Sequence, residues 1–223
     1  MLMKGEGCFI RARKPEEIAQ RRDSILAATA RLLAQQAPDQ LSLNAIAREA
    51  RLAKSNVYRY FESREAIYLA LLMQDLDGWV EDVKAALAPL AGSNQPATVA
   101  AVLATATVAR PRLCQLVSLL GNVLERNLSE QAVLAFKQES LQRGLAVLSA
   151  LQAALPAVGT VRLQDFMAYF LAQVGGLWPV CHPAPLVEKV LQRPELSLMR
   201  RDFADSLTDS LQLMLAGLLA EAG

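Results

Sequence analysis

Lys54, Ser55, Asn56, Tyr58 and Arg59 fall within six consecutive residues of the stretch KSNVYRYF, which ends at Tyr60-Phe61. The set joins cationic donors to an amide and phenolic hydroxyls, and no carboxylate interrupts it. Such groups suit the surface of a nucleic-acid duplex. Lysine or arginine can meet a phosphate or a guanine edge, asparagine can pair with an adenine edge, and tyrosine hydroxyls can donate to phosphates. Upstream, Ser42 would offer a hydroxyl and helix-terminal amides to a further phosphate. A solvated turn could carry the same composition, so the neighbouring elements decide.

Those elements are helical in pattern. A first helix begins at Pro15, followed by Glu16 and Glu17, whose carboxylates suit the positive end of a helix dipole. Ile18, Ile25, Leu26, Thr29, Leu32 and Leu33 share a face, and the APDQ tetrapeptide ends it. Ser42 can cap a second helix whose inward residues, Leu43, Ile46, Ala47 and Ala50, keep helical spacing. After a turn at Arg51–Ala53, residues Lys54–Tyr60 predict a third helix, anchored by Leu52, Val57 and Phe61. Two short helices joined this closely match a helix-turn-helix, and the polar set is left on its outer face. Ser63 then caps a long fourth helix with the stripe Leu69, Leu72, Met73, Leu76, Trp79 and Val80.

The stretch SLNAIAREARLAKSNVYRYFESREAIY closely resembles the DNA-binding domain of TetR-type transcriptional regulators. Tyr58-Arg59-Tyr60-Phe61 and Ser63-Arg64-Glu65 match the family's motif at the start of its fourth helix. The resemblance implies that Ser42, Lys54, Ser55, Asn56, Tyr58, Tyr60 and Arg64 touch DNA; the residue chemistry adds Arg59. Two departures stand out. The family commonly has glycine where Arg51 sits and a serine or threonine cap where Ala53 sits. Arg51 must then accept a strained turn conformation at about 1 kcal/mol, and could add a phosphate contact in return.

The remaining composition fits an all-α protein. Hydrophobic residues make up 53% and aromatics only 5%, with leucine and alanine dominant, which favours helices over strands. Residues 1–64 hold 12 Lys and Arg against 7 Asp and Glu, whereas 65–223 hold 11 against 15. The basic quarter is the part suited to a polyanion. The expected organisation is a flexible arm over 1–14, a helix-turn-helix domain over 15–64, and a helical effector-binding and dimerisation domain over 65–223. Arg11, Arg13 and Lys14 in the arm would be a solvated tail or a minor-groove contact. Scattered Cys8, Cys114 and Cys181 form no disulfide framework, and the N-terminal stretch lacks the apolar core of a signal peptide, so a cytoplasmic location without a membrane is expected.

In the body, helical patterns fall at about 97–109, 113–128, 130–155, 161–178 and 200–221, broken among other places by WPVCHPAP. The resemblance implies a homodimer whose last two helices pair with a second copy. Phe166, Phe170, Leu177, Leu207, Leu211, Met214 and Leu218 supply candidate faces. Function asks for the same, since two copies read a palindromic operator. Gln173 interrupts the apolar stripe and faces either the interface or a ligand. Trp79 and Asn127 are the other pocket candidates, with a helix C-cap as the rival role for Asn127. The implied mechanism is a repressor that releases DNA when a small apolar molecule enters the body and shifts the fourth helix, with Asp77-Gly78 as its weak point. No cofactor, metal site or catalytic set is expected: His182 beside Cys181 lacks further ligands, and no phosphate-binding glycine loop is present. The alternatives are a helical small-molecule binder or enzyme with an incidental helix-turn-helix, or a DNA-binding protein without an effector.

Overall fold

The computed structural model describes residues 15–124 and 128–221, and among these every regular element is helical. The arm over 1–14, with Cys8, Arg11, Arg13 and Lys14, lies outside the described residues, as does Asn127. The chain divides into two compact units, one ending at Arg64 and one beginning at Glu65.

In the first unit, α1 (Pro15–Leu33), α2 (Leu43–Glu49) and α3 (Lys54–Val57) pack around a small core of Ile25, Leu26, Leu41, Ile46, Val57 and Phe61. Ile18 does not join it; at 44% exposure it lies about two turns before the packed part of α1, which begins at Ile25. The third helix is shorter than its sequence pattern predicts. Beyond Val57 the amides of Arg59 and Tyr60 bond to carbonyls three residues back, so Tyr58–Tyr60 tighten into a turn.

The second unit contains most of α4 (Arg64–Leu87), then α5 (Pro96–Val108), α6 (Pro111–Leu119), α7 (Glu130–Ala154), α8 (Thr160–Cys181), α9 (Pro185–Leu191) and α10 (Phe203–Glu221). Prolines open α5, α6 and α9, where a missing N–H costs nothing. α6 ends in a π-helical turn, Leu120–Leu124, before the predicted Leu128 boundary. α8 packs against α6, α7 and α10, and α10 also lies along α5. The WPVCHPAP break is displaced: α8 runs through Trp178-Pro179 to Cys181, and α9 follows as an element the sequence pattern did not suggest.

Three arginines fasten α4 to its neighbours. Arg112 grips Asp75 with two guanidinium nitrogens, Arg110 bonds Asp82, and Arg143 of α7 holds Asp77 at 2.7 and 3.0 Å. These bonds raise the Arg112 and Arg143 pKa values. The Asp77-Gly78 pair is therefore no break in α4. Gly78 instead leaves room for the Arg110 side chain, whose guanidinium would lie 3.4 Å from a Cβ placed there, to reach Asp82.

Cys114 is fully buried, its thiol donating to the Thr107 carbonyl at 3.4 Å, and burial pushes its pKa up to about 12. At pH 8 about one such thiol in ten thousand is ionised. A thiol reagent at pH 8 should label Cys114 only after denaturant is added; mass spectrometry of the digested adduct checks this.

Candidate functional site

The helix-turn-helix is held in shape from both ends. The Ser42 hydroxyl accepts the Ala45 amide at 3.2 Å and caps α2. Arg64 donates to the Leu41 carbonyl at 2.8 Å, fixing the residue that precedes this cap. Arg22 of α1 lies 4.4 Å over the Phe61 ring and reaches the Tyr60 carbonyl at 3.5 Å. Arg22 was not singled out from sequence, because its partners lie 38 and 39 residues away and no spacing rule joins them.

The turn shows both departures from the family pattern. Arg51 has φ +56°, the left-handed conformation that glycine normally takes, and Ala53 makes no side-chain capping bond. Relief of left-handed strain exceeds the entropy glycine adds to the unfolded chain, so Arg51→Gly should stabilise the protein by about 0.5–1 kcal/mol. Urea denaturation measures it, and a loss of stability would mean that Arg51 makes a compensating contact.

Lys54, Ser55, Tyr58 and Arg59 are exposed, as is Ser42, whereas Asn56, Tyr60 and Arg64 are half-buried. Tyr58 keeps 52% of its surface open, with the Lys54 ammonium 5.9 Å from its ring. Val57, between Asn56 and Tyr58, is fully buried and anchors the segment. The surrounding surface has the donors to bind an anionic duplex.

The second unit holds a partly open cavity of about 210 Å³. Leu72, Leu76, Trp79 and Val80 of α4 form one wall, and Leu113 and Val117 of α6 with Phe170 and Val174 of α8 form others. Trp79 stacks on Phe170 at 5.6 Å, and its indole N–H donates to Thr107 Oγ1 at 3.0 Å. Thr107 in turn donates to the Leu103 carbonyl at 2.7 Å, so this buried polar pair is satisfied without a ligand.

Gln173 is not part of the cavity. It lines a shallow outer groove with Tyr169, Leu177 and Met214. Among the dimer candidates, Phe166, Phe170, Leu207 and Leu211 are buried within the chain, Phe170 in the cavity wall, so they cannot also face a second copy in this arrangement. The stripes on α8 and α10 are spent on each other and on α5. Gln173, Leu177, Met214 and Leu218 stay partly accessible. His182 stacks on Trp178 at 3.8 Å, a packing role.

A helix-turn-helix followed by a helical body with an apolar cavity defines a DNA-binding regulator. Residues 25–71 match the model for bacterial regulatory proteins of the tetR family, and residues 73–222 match that for the tetracyclin repressor-like C-terminal domain. The chain belongs to the TetR family of transcriptional regulators, proteins that bind DNA and perform no catalysis. No curated protein sequence matches it.

Solved structures share the fold. The fatty acid degradation regulator FadR from Bacillus halodurans aligns with a TM-score of 0.57 at 14% identity, over 88% of this chain and 98% of that one. A TetR-family regulator from Streptomyces coelicolor gives 0.57 at 18% identity, over 89% and 99%. The repressor AlkX from Dietzia sp., implicated in biodegradation of n-alkanes, gives 0.51 at 13% identity, over 89% and 96%. Among the described residues, no helix is long and apolar enough to cross a membrane.

Proposed function

We propose that this regulator is a homodimeric repressor of a palindromic operator, released when a small apolar molecule occupies the cavity of the second unit. The carrying observation is the cavity itself: its walls are almost wholly apolar, and one of them is α4. That helix starts at Arg64, the residue that holds the Leu41 carbonyl beside the α2 cap. At about 210 Å³ the space is below the ~300–1,000 Å³ usual for drug-sized ligands. The effector is accordingly small, or the helices spread to admit it, and either event loads α4 directly. The names of FadR and AlkX, tied to fatty acids and n-alkanes, agree with an aliphatic occupant. Gln173, Leu177, Met214 and Leu218, with exposed Tyr169 and Leu213 beside them, are the surface we assign to the second copy.

A ligand acts only through different affinity for the two states, so a hundredfold release of DNA needs about 2.7 kcal/mol of coupling. Fluorescence anisotropy on DNA from just upstream of the gene tests the reading. Binding there should be tight, should exceed that to an unrelated duplex, and should weaken steeply with salt. Equal weak binding to both duplexes would sink the operator assignment. Unchanged affinity under a panel of small aliphatic and aromatic molecules would favour a regulator without an effector.

A further inference from the structure

One wall of the cavity differs from the rest. Lys137, Ser140, Arg143 and Gly144 of α7 recur at three- and four-residue spacing along one helix face, with Phe136 and Val147 at its two ends. Among the described residues, Lys137 and Arg143 are the charged ones lining the cavity, and no described carboxylate lines it. The other walls are apolar except for Thr107, whose hydroxyl is occupied by Trp79 and Leu103.

From this wall we infer that the cavity takes a short-chain carboxylate, its head on the α7 ladder at Arg143 and its tail between α4 and α8; the inference rests on the effector reading above. At about 210 Å³, below the ~300–1,000 Å³ usual for drug-sized ligands, the cavity suits a short-chain acid. The head group arrives where a carboxylate already sits. Arg143 is bound to Asp77 of α4 at 2.7 and 3.0 Å, with Glu139 a further 3.5 Å neighbour. The Arg143 side chain is 21% exposed and that of Asp77 59% exposed. Asp77 can therefore turn to water at little cost while Arg143 keeps an anionic partner. The exchange unties α4 from α7 and leaves the Asp75–Arg112 and Asp82–Arg110 pairs on the α6 side intact. The ligand thus replaces one of the three fastenings of α4 with itself.

Calorimetric titration of the full-length chain with octanoate and with octan-1-ol tests this. Octanoate should bind at least tenfold more tightly than the alcohol. Arg143→Gln should erase that preference. Asp77→Asn, an exposed change that removes the competitor, should strengthen octanoate binding several-fold and leave octan-1-ol unchanged, which a merely structural ion pair would not do. Gly144→Leu supplies the control. A Cβ at Gly144 meets nothing within 4 Å, so a leucine there fits the helix, fills the cavity and should block both ligands. If octan-1-ol binds as well as octanoate and Gly144→Leu blocks both, the head-group assignment fails and the apolar cavity stands. If neither ligand binds, or binding survives Gly144→Leu, the proposal and the effector reading beneath it both fall.

Discussion

Replacing Asn56 and Tyr58 together with alanine lowers operator affinity by about a hundredfold or more and leaves the fold unchanged. A bidentate asparagine–adenine pair contributes about 1–3 kcal/mol, and a hydroxyl–phosphate bond about 1 kcal/mol. The proposed homodimer would lose both twice, so ~2.7 kcal/mol, the hundredfold mark, is a conservative floor. Neither side chain belongs to the core: Tyr58 is more than half exposed, and the buried anchor between them is Val57. Stability should therefore move by no more than ~0.5 kcal/mol. Anisotropy, thermal melting and size-exclusion chromatography on the same preparation separate the outcomes. Undiminished operator affinity would show that another surface reads the DNA.

Trp79→Ala should be the most damaging single change in the second unit, costing about 3–5 kcal/mol. The indole is buried, stacks on Phe170 and donates to Thr107, so truncation enlarges a cavity that already exists and breaks a buried hydrogen bond. Against a total of ~5–15 kcal/mol for an ordinary domain, this approaches the margin on which folding depends. Urea denaturation followed by circular dichroism measures it. A loss under ~1 kcal/mol would mean that the helices collapse to fill the gap and that the cavity is not rigid.

Local chemistry made the first unit readable from sequence. Ser42 announces its cap, the 46-47-50 spacing its helix, and the left-handed turn at Arg51 follows from the glycine that the family places there. The body was less legible. Its stripes on α8 and α10 mark buried faces, yet a stripe does not say whether the covering surface belongs to the same chain or to another. Phe166, Phe170, Leu207 and Leu211 are covered from within. Pro179 read as a helix end because proline lacks the amide that α8 needs there, but the flanking turns carry the helix past it. The α4 fastenings join residues 28 to 66 positions apart, and no periodicity reports partners so distant. α9 is too short and too exposed to leave a pattern.

The end of α7 is finished by a distant piece of chain. The amides of Gly92 and Asn94 bond the Ala153 and Ala154 carbonyls, and the Asn94 side chain accepts the Ala157 amide from 63 residues away. Gly92 and Asn94 both hold the positive φ that this loop requires. The last turn of α7 is thus completed only after a long loop has closed, at an entropic cost that local helix formation does not carry. The amides of Gly92, Asn94 and Ala157 should gain exchange protection late in refolding, after those of the helix they finish.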